Sequence, residues 1–382
     1  MKRLPLFLIL FIILAFQFSK ALPKFATRQG AKCQSCHINP TGKGMRSTFG
    51  STYGREELPM PSYKEATDIE EFSPALNDFF TIGMDYRTLF FYEPKKNESS
   101  FFQMQGDLYF DLRLNKKFRI YIDKGLYSGF EVFGLAKVLP LDGYIKIGKF
   151  IPSYGLKIDD HNAFIRGGQY GGGEFASVFP LGYPNGLRFG ERSEDTGLEF
   201  GFTPSIFSLN IGVFNGTPGG GLNGVSGEKT KAIVVRGDMN IQTDIANAII
   251  GGSLYKQPNA TLPGKTQFFG GFGIVSFANN LTLSAEVDYA TTFNGTLNKE
   301  VTGLMSFTEL SYIVFQGIDL KVAYENYDPD SKLANGSFST ITVGAEFFPF
   351  TGVEVRPVYR FNQEKPKEIS NDEFLLLFHF YL

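Results

Sequence analysis

From Phe79 to the C-terminus, apolar and polar residues alternate with a period of two. Across 101–114 one row holds Phe102, Met104, Gly106, Leu108, Phe110, Leu112 and Leu114, and the other holds Gln103, Gln105, Asp107, Tyr109, Asp111 and Arg113. Successive side chains of an extended strand point to opposite faces, whereas a helix would spread each row around its axis. The pattern therefore predicts strands with one apolar and one polar face. Sixteen are expected, near 78–92, 101–114, 117–124, 130–139, 143–150, 194–203, 205–214, 229–241, 247–257, 266–277, 281–293, 302–315, 318–328, 339–349, 353–364 and 371–382. Short turns such as Asn115-Lys116, Thr203-Pro204-Ser205, Asn279-Asn280 and Thr351-Gly352 alternate with longer connections at 151–193, 215–228 and 329–338. Leu376, Phe378, Phe380 and Leu382 share one face of the last strand, which ends the chain.

An even number of strands, apolar outside and polar inside, with short turns at one end and long loops at the other, predicts an all-β antiparallel barrel of the outer-membrane kind, spanning 77–382. Composition agrees: 43 glycines, 41 phenylalanines and 15% aromatics, with no run of 18 uncharged apolar residues beyond the first 21. A helical membrane protein is excluded on that ground. Residues 1–21 read as a secretory leader, with Lys2 and Arg3 before an apolar stretch and Ser19-Lys20-Ala21 at its end. The expected location is the bacterial outer membrane, with outer-membrane lipid as surroundings. A formal net charge of −2 gives no sign of a nucleic-acid partner.

The only two cysteines of the chain fall in Cys33-Gln34-Ser35-Cys36-His37, so disulfides do not hold the exported chain together. Three chemistries use such a pair. A dithiol redox centre expects a strand-helix-strand context that is not visible here, and a zinc site lacks its remaining ligands in a chain with three histidines. Covalent attachment of one haem c needs only these five residues: Cys33 and Cys36 reach the two vinyl groups, and His37 falls under the iron as axial ligand. The candidates for the sixth ligand are Met45 and Met60, with Met60 preferred because Pro59 and Pro61 stiffen the backbone around it; the alternative is that both methionines simply fill packing gaps.

Residues 22–55 form the expected monohaem segment and carry Lys24, Arg28, Lys32, Lys43, Arg46 and Arg55 without a single acid. That cluster can pair with haem propionates or steer an acidic partner, or it is a solvated face. Residues 56–76 reverse the sign, with Glu56, Glu57, Glu65, Asp68, Glu70 and Glu71 against Lys64, and read as an acidic linker or plug able to fold back on the basic segment. In the long connection, Asp159, Asp160 and His161 are the residue types that bind a divalent cation, and Arg166 and Arg188 can line a constriction. The competing expectation is a loop folded into the lumen to narrow it.

With leader, single haem motif, short Gly/Pro-rich segment and barrel in this order, the chain resembles the fused monohaem cytochrome–porin proteins of bacterial outer membranes, the group containing the single-haem iron-oxidising cytochromes. Gly148-Lys149-Phe150-Ile151-Pro152-Ser153-Tyr154-Gly155 also resembles a strand-to-loop segment of polyphosphate-selective porins. The first resemblance implies haem attachment at Cys33 and Cys36 with His37 as the iron ligand. The function expected is electron transfer between periplasmic carriers and an extracellular donor or acceptor such as iron, by an electron-transfer protein rather than an enzyme. The alternatives are an Fe(II) oxidase, or a diffusion porin whose haem segment senses or docks. Replacing both Cys33 and Cys36 by serine is expected to abolish covalent haem staining of the exported protein while heat-modifiable barrel still assembles; staining retained in the double variant refutes the attachment sites.

Overall fold

The computed structural model describes residues 23–61, 74–126, 129–158, 163–166, 189–190, 193–218, 230–258, 265–278, 280–294, 298–367 and 371–382. The predicted leader, most of the acidic linker, Asp159, Asp160, His161 and Arg188 lie outside them, as does the side chain of Arg166.

Sixteen antiparallel strands close into one barrel. In chain order they are β1 (Phe80–Glu93), β2 (Glu98–Arg113), β3 (Phe118–Gly125), β4 (Phe130–Leu139), β5 (Gly143–Phe150), β6 (Asp195–Phe202), β7 (Phe207–Phe214), β8 (Ala232–Gln242), β9 (Ala246–Pro258), β10 (Lys265–Phe277), β11 (Leu281–Asn294), β12 (Lys299–Phe315), β13 (Ile318–Asp328), β14 (Phe338–Phe350), β15 (Val353–Glu364) and β16 (Glu373–Tyr381). Each pairs with its sequence neighbours, and β16 returns to β1 with Asp85 opposite Tyr381 and Tyr92 opposite Phe374. Closure removes every free edge, the condition for strands in lipid, where no water can satisfy an unpaired backbone group. All sixteen predicted strands are found, with ends moved by a few residues. The short turns gather at one end of the barrel together with the start of β1 and the end of β16.

The alternation does what the pattern requires. Along β13, Asp319, Lys321 and Glu325 are buried in the interior while Leu320, Val322 and Tyr324 are exposed on the outside. On β2, Asp107, Tyr109 and Asp111 face inward, and Leu112 is exposed outside. One part of the expected facing is corrected. Between β1 and β2 the register shifts: Arg87 lies opposite Gln105, but Thr88 lies opposite Gln103, leaving Met104 as the extra residue of a β-bulge. A one-residue slip exchanges the two faces. Beyond it Phe102 packs with Leu89 and Phe91 on the inner side, and Gln103 stands on the outer face, where it meets Thr88.

Inside, aromatic side chains from adjacent strands build a continuous wall. Tyr121 of β3 stacks against Phe133 of β4 with ring centres 4.9 Å apart, and Phe150 of β5 meets Phe133 at 5.7 Å and Phe214 of β7 at 5.3 Å. Lys146, fully buried, lies over Phe150 at 4.1 Å and is neutralised by Glu199 at 2.9 Å. Among the described residues no helix is long and apolar enough to cross a membrane. Strands carry the apolar band. Val322, at the middle of β13 and pointing outward, tests that surface: Val322→Arg is expected to cost about 2–4 kcal/mol, read as a lower urea midpoint for unfolding from lipid vesicles.

Candidate functional site

The segment before the barrel is inside it. Three short helices make it up: α1 (Pro23–Arg28), α2 (Cys33–Cys36) and α3 (Thr48–Glu56). Its basic residues find partners on the lumen wall. Lys24 Nζ lies 2.7 Å from Glu346 and 3.5 Å from Asp319. Arg28, 1% exposed, donates to Asp319 at 2.9 Å, Thr282 at 2.9 Å and Ser311 at 2.7 Å. Lys32 donates to the carbonyls of Ser205 and Phe207 at 2.6 and 2.9 Å, at the turn between β6 and β7. Lys43 reaches Glu131 at 3.6 Å. Among the described residues the partners of the basic segment are wall carboxylates that face inward on β4, β12, β13 and β14; Glu65, Asp68, Glu70 and Glu71 of the expected acidic linker lie outside the described residues. Gln316 Nε2 fixes the far end, donating to the carbonyls of Glu56 and Pro59, both at 2.9 Å. All these rim contacts lie at the short-turn end.

Local chemistry holds the cysteine turn. Ser47 caps α3, its hydroxyl accepting from Gly50 N–H at 3.2 Å and donating to the Ser35 carbonyl. The Cys36 carbonyl accepts from Ser47 N–H at 2.7 Å. Gly50 packs so closely on that carbonyl that a Cβ would strike it. Cys33 and Cys36 stand at the two ends of α2 without a disulfide between them, and burial pushes the Cys33 thiol above its usual range. His37 Nδ1 lies 3.2 Å from the Gly44 carbonyl. A carbonyl only accepts, so Nδ1 carries the proton and Nε2 keeps its lone pair. Burial, with Arg46 adding to it, pushes the imidazole down to about 4, which keeps it neutral at physiological pH. Gly44 has φ +68, and a Cβ there would collide with the Tyr121 hydroxyl; that hydroxyl accepts from Met45 N–H at 3.0 Å.

His37 opens onto a lumenal cavity lined by both charged and apolar side chains. The opposite wall is the stretch after β5, which folds inward as expected for a constricting loop. Tyr154 donates to Asp288 at 2.9 Å, Gly155 N–H to Ser253 at 2.9 Å, Leu156 N–H to Glu286 at 2.6 Å and, farther on, Phe164 N–H to Glu325 at 2.7 Å. This carries the chain across the lumen from β5 to β13. Ile151, Leu156 and Phe307 give the cavity apolar walls, and Lys157 stands among them. Its Nζ is buried with no hydrogen-bond partner, and burial pushes the ammonium down to about 8.

These features fit a covalently attached haem. A neutral imidazole oriented through Nδ1, two thiols one helical turn apart, apolar walls and an unpartnered cation suit an apolar macrocycle with anionic substituents. Of the methionines, Met45 is buried beside Tyr109 and Tyr121. Met60 is tied at the rim by its N–H to the Phe348 carbonyl at 3.0 Å, over Gly317, and is not among the described residues lining the cavity. Sequence reasoning missed His379, which also lines the cavity and sits 2.8 Å from Glu354 and 3.1 Å from Asp85. It missed Lys157 as well. The inward phase of β16 marks His379, but nothing local marks Lys157. Among the described residues no group of three or more His, Cys, Asp or Glu is arranged to hold a metal ion.

No family model matches the chain, and no curated protein matches it. Solved structures do. The trimeric form of OmpT of Vibrio cholerae superposes with a TM-score of 0.55 at 12% identity, covering 79% of this chain and 99% of its own. The outer-membrane channel DcaP of Acinetobacter baumannii gives 0.54 at 9% identity over 79% and 97%. An anion-selective porin from Comamonas acidovorans gives 0.53 at 11% over 79% and 99%. The chain shares its porin-like barrel fold with these outer-membrane proteins.

The Lys24–Arg28 contacts make a prediction about the lumenal segment. Arg28→Ala leaves Asp319 with only the more distant Lys24, and loss of one partner of a buried pair costs about 3–5 kcal/mol. Trypsin is expected to cut the variant at Lys32 and Lys43 well before wild type while the barrel fragment stays intact on gels.

Proposed function

We propose that this protein is an outer-membrane electron-transfer protein in which a porin-type barrel holds one covalently bound haem c inside its lumen, as in the fused monohaem cytochrome–porin proteins it resembles. The observation that carries the reading is His37: directly after the Cys33–Cys36 turn, it presents an oriented neutral imidazole to a lumenal cavity. In this reading Cys33 and Cys36 hold the group by thioether bonds and His37 ligates the iron. When bound, haem supplies a one-electron redox couple. The chain's own residues do the rest. The Gly44 carbonyl sets the tautomer and ring orientation of His37, a partner of the kind that such ligands use to fix geometry and basicity. Ser47 and Gly50 clamp the cysteine turn to α3. Ile151, Leu156 and Phe307 give the cavity apolar surface. Lys24, Arg28 and Lys32 hold the segment to the wall.

Membrane barrels place short turns on the periplasmic side and longer loops outside, so the anchored end of the lumenal segment faces periplasmic electron carriers. An extracellular donor or acceptor, such as iron, approaches from the long-loop end. A diffusion porin is the second reading, favoured by neighbours that are a channel and an anion-selective porin. Against it stand the segment 23–61 and the described parts of the loop after β5, 151–158 and 163–166, laid across the lumen.

Reconstitution into liposomes separates the two. His37→Ala keeps both thioethers, so covalent haem remains. Electron transfer from an external reductant to an enclosed acceptor is expected to fall by about 10–100-fold, with solute efflux unchanged. Electron transfer unaffected by the substitution, beside rapid solute efflux, would leave the porin reading standing instead.

A further inference from the structure

Seven lysines and arginines but only four carboxylates line the described cavity. Five of the seven have a carboxylate of their own. Lys24 meets Glu346 at 2.7 Å, Arg87 meets Asp85 at 2.8 Å, Arg356 meets Glu354 at 2.7 Å, Lys321 meets Glu309 at 3.5 Å and Lys43 meets Glu131 at 3.6 Å. Two are left over, Arg46 and Lys157, and they come from different segments. Arg46 pairs back to His37 in an isolated β-bridge; Lys157 belongs to the loop that crosses the lumen.

Neither is balanced by the protein. The guanidinium of Arg46 lies over the Tyr381 ring, 4.0 Å from its centre. Stacking occupies the face of the guanidinium and leaves its in-plane N–H donors for an acceptor, the geometry that suits a carboxylate. Lys157 Nζ is buried and makes no hydrogen bond. The acids nearest in effect, Glu131 and Glu199, already belong to Lys43 and Lys146. A buried ammonium without partners is costly, and the protein interior normally supplies one. Arg46 forms a β-bridge with His37, and Lys157 lines the same cavity, so an anion held between them belongs to whatever occupies the cavity beside the imidazole. Apolar side chains such as Ile151, Leu156 and Phe307 line the cavity beside the charged ones, so it suits an occupant that combines hydrocarbon with negative charge.

We propose that Arg46 and Lys157 form an anion-binding pair that anchors the propionate carboxylates of the haem attached at Cys33 and Cys36. The assignment rests on the haem reading above and adds two residues to it, one of them 120 positions beyond the cysteine turn. The pair ties the constricting loop to the lumenal segment through the ligand. It also places two cations near the iron, where they favour the reduced state.

The test uses the exported, haem-loaded protein and spectroelectrochemical titration, with covalent haem quantified by pyridine haemochrome. Lys157→Gln and Arg46→Gln, at wild-type haem content, are each expected to lower the reduction equilibrium constant about tenfold, close to 59 mV for one electron. Lys157→Arg, which keeps the charge, is expected to stay near wild type. Should one glutamine variant fail to assemble, the other decides, since the two residues lie on separate segments. Full haem content with wild-type potentials in both glutamine variants overturns the propionate assignment while leaving the haem reading intact. Wild-type protein without covalent haem overturns that reading itself. Inorganic phosphate added to wild type provides the remaining arm: a potential that shifts with phosphate in wild type and not in the double variant places a free anion between the two cations and overturns the assignment to propionates.

Discussion

The interior of this barrel is organised by the need to neutralise charge away from bulk water. Polar-in alternation turns Asp319, Glu325, Glu346, Lys146 and Arg360 into the lumen, where each is at most 4% exposed. A buried charge without a partner costs several kcal/mol. The wall cannot balance itself everywhere, because strand register and not electrostatics decides which side chains meet. Around β12 to β14 it presents Glu309, Asp319 and Glu346, and the missing positive charge arrives with Lys24 and Arg28. The lumenal segment is seated by this deficit.

Seating the segment then fixes the chemistry. About forty residues with two cysteines cannot bury a core of their own. The barrel supplies one: Tyr121 reaches into the Gly44–Met45 turn, Lys146 donates to Asn39 at 3.2 Å, and Asn240 donates to the Ala31 carbonyl at 2.9 Å. With the turn held from outside, Gly44 can present its carbonyl to His37 and so choose which nitrogen is left with a lone pair. The crossing loop supplies the second wall by the same device, its backbone N–H groups spent on Glu286 and Glu325. Wall carboxylates therefore serve both segments, as counter-ions for one and as acceptors for the other. What remains unbalanced, Arg46 and Lys157, is positive and faces one cavity.

Much of this was legible in the chain itself. Period-two alternation from Phe79 located every strand, because burial on one face alone imposes that pattern locally. Turn residues separated the short from the long connections for the same reason. Cys33, Cys36 and His37 stand together in sequence, so their chemistry could be read without a fold. The bulge at Met104 could not: one extra residue in an alternating row looks like continued alternation until a partner strand shows the slip. Met60 drew attention through its prolines, a local feature, but the turn at Gly317 holds its backbone at the rim.

The sequence by itself determined the barrel, its strand number, the two kinds of end and the cysteine–histidine turn, each of which is written in neighbouring residues. Only the tertiary structure decided that the turn lies inside the lumen, that its basic residues pair with carboxylates of the wall, and that His37, Arg46 and Lys157 share a cavity. Those are meetings between positions far apart in the chain. They depend on register, closure and the direction in which a loop folds, and no local pattern of hydrophobic and polar residues encodes which distant charges will end up opposite one another.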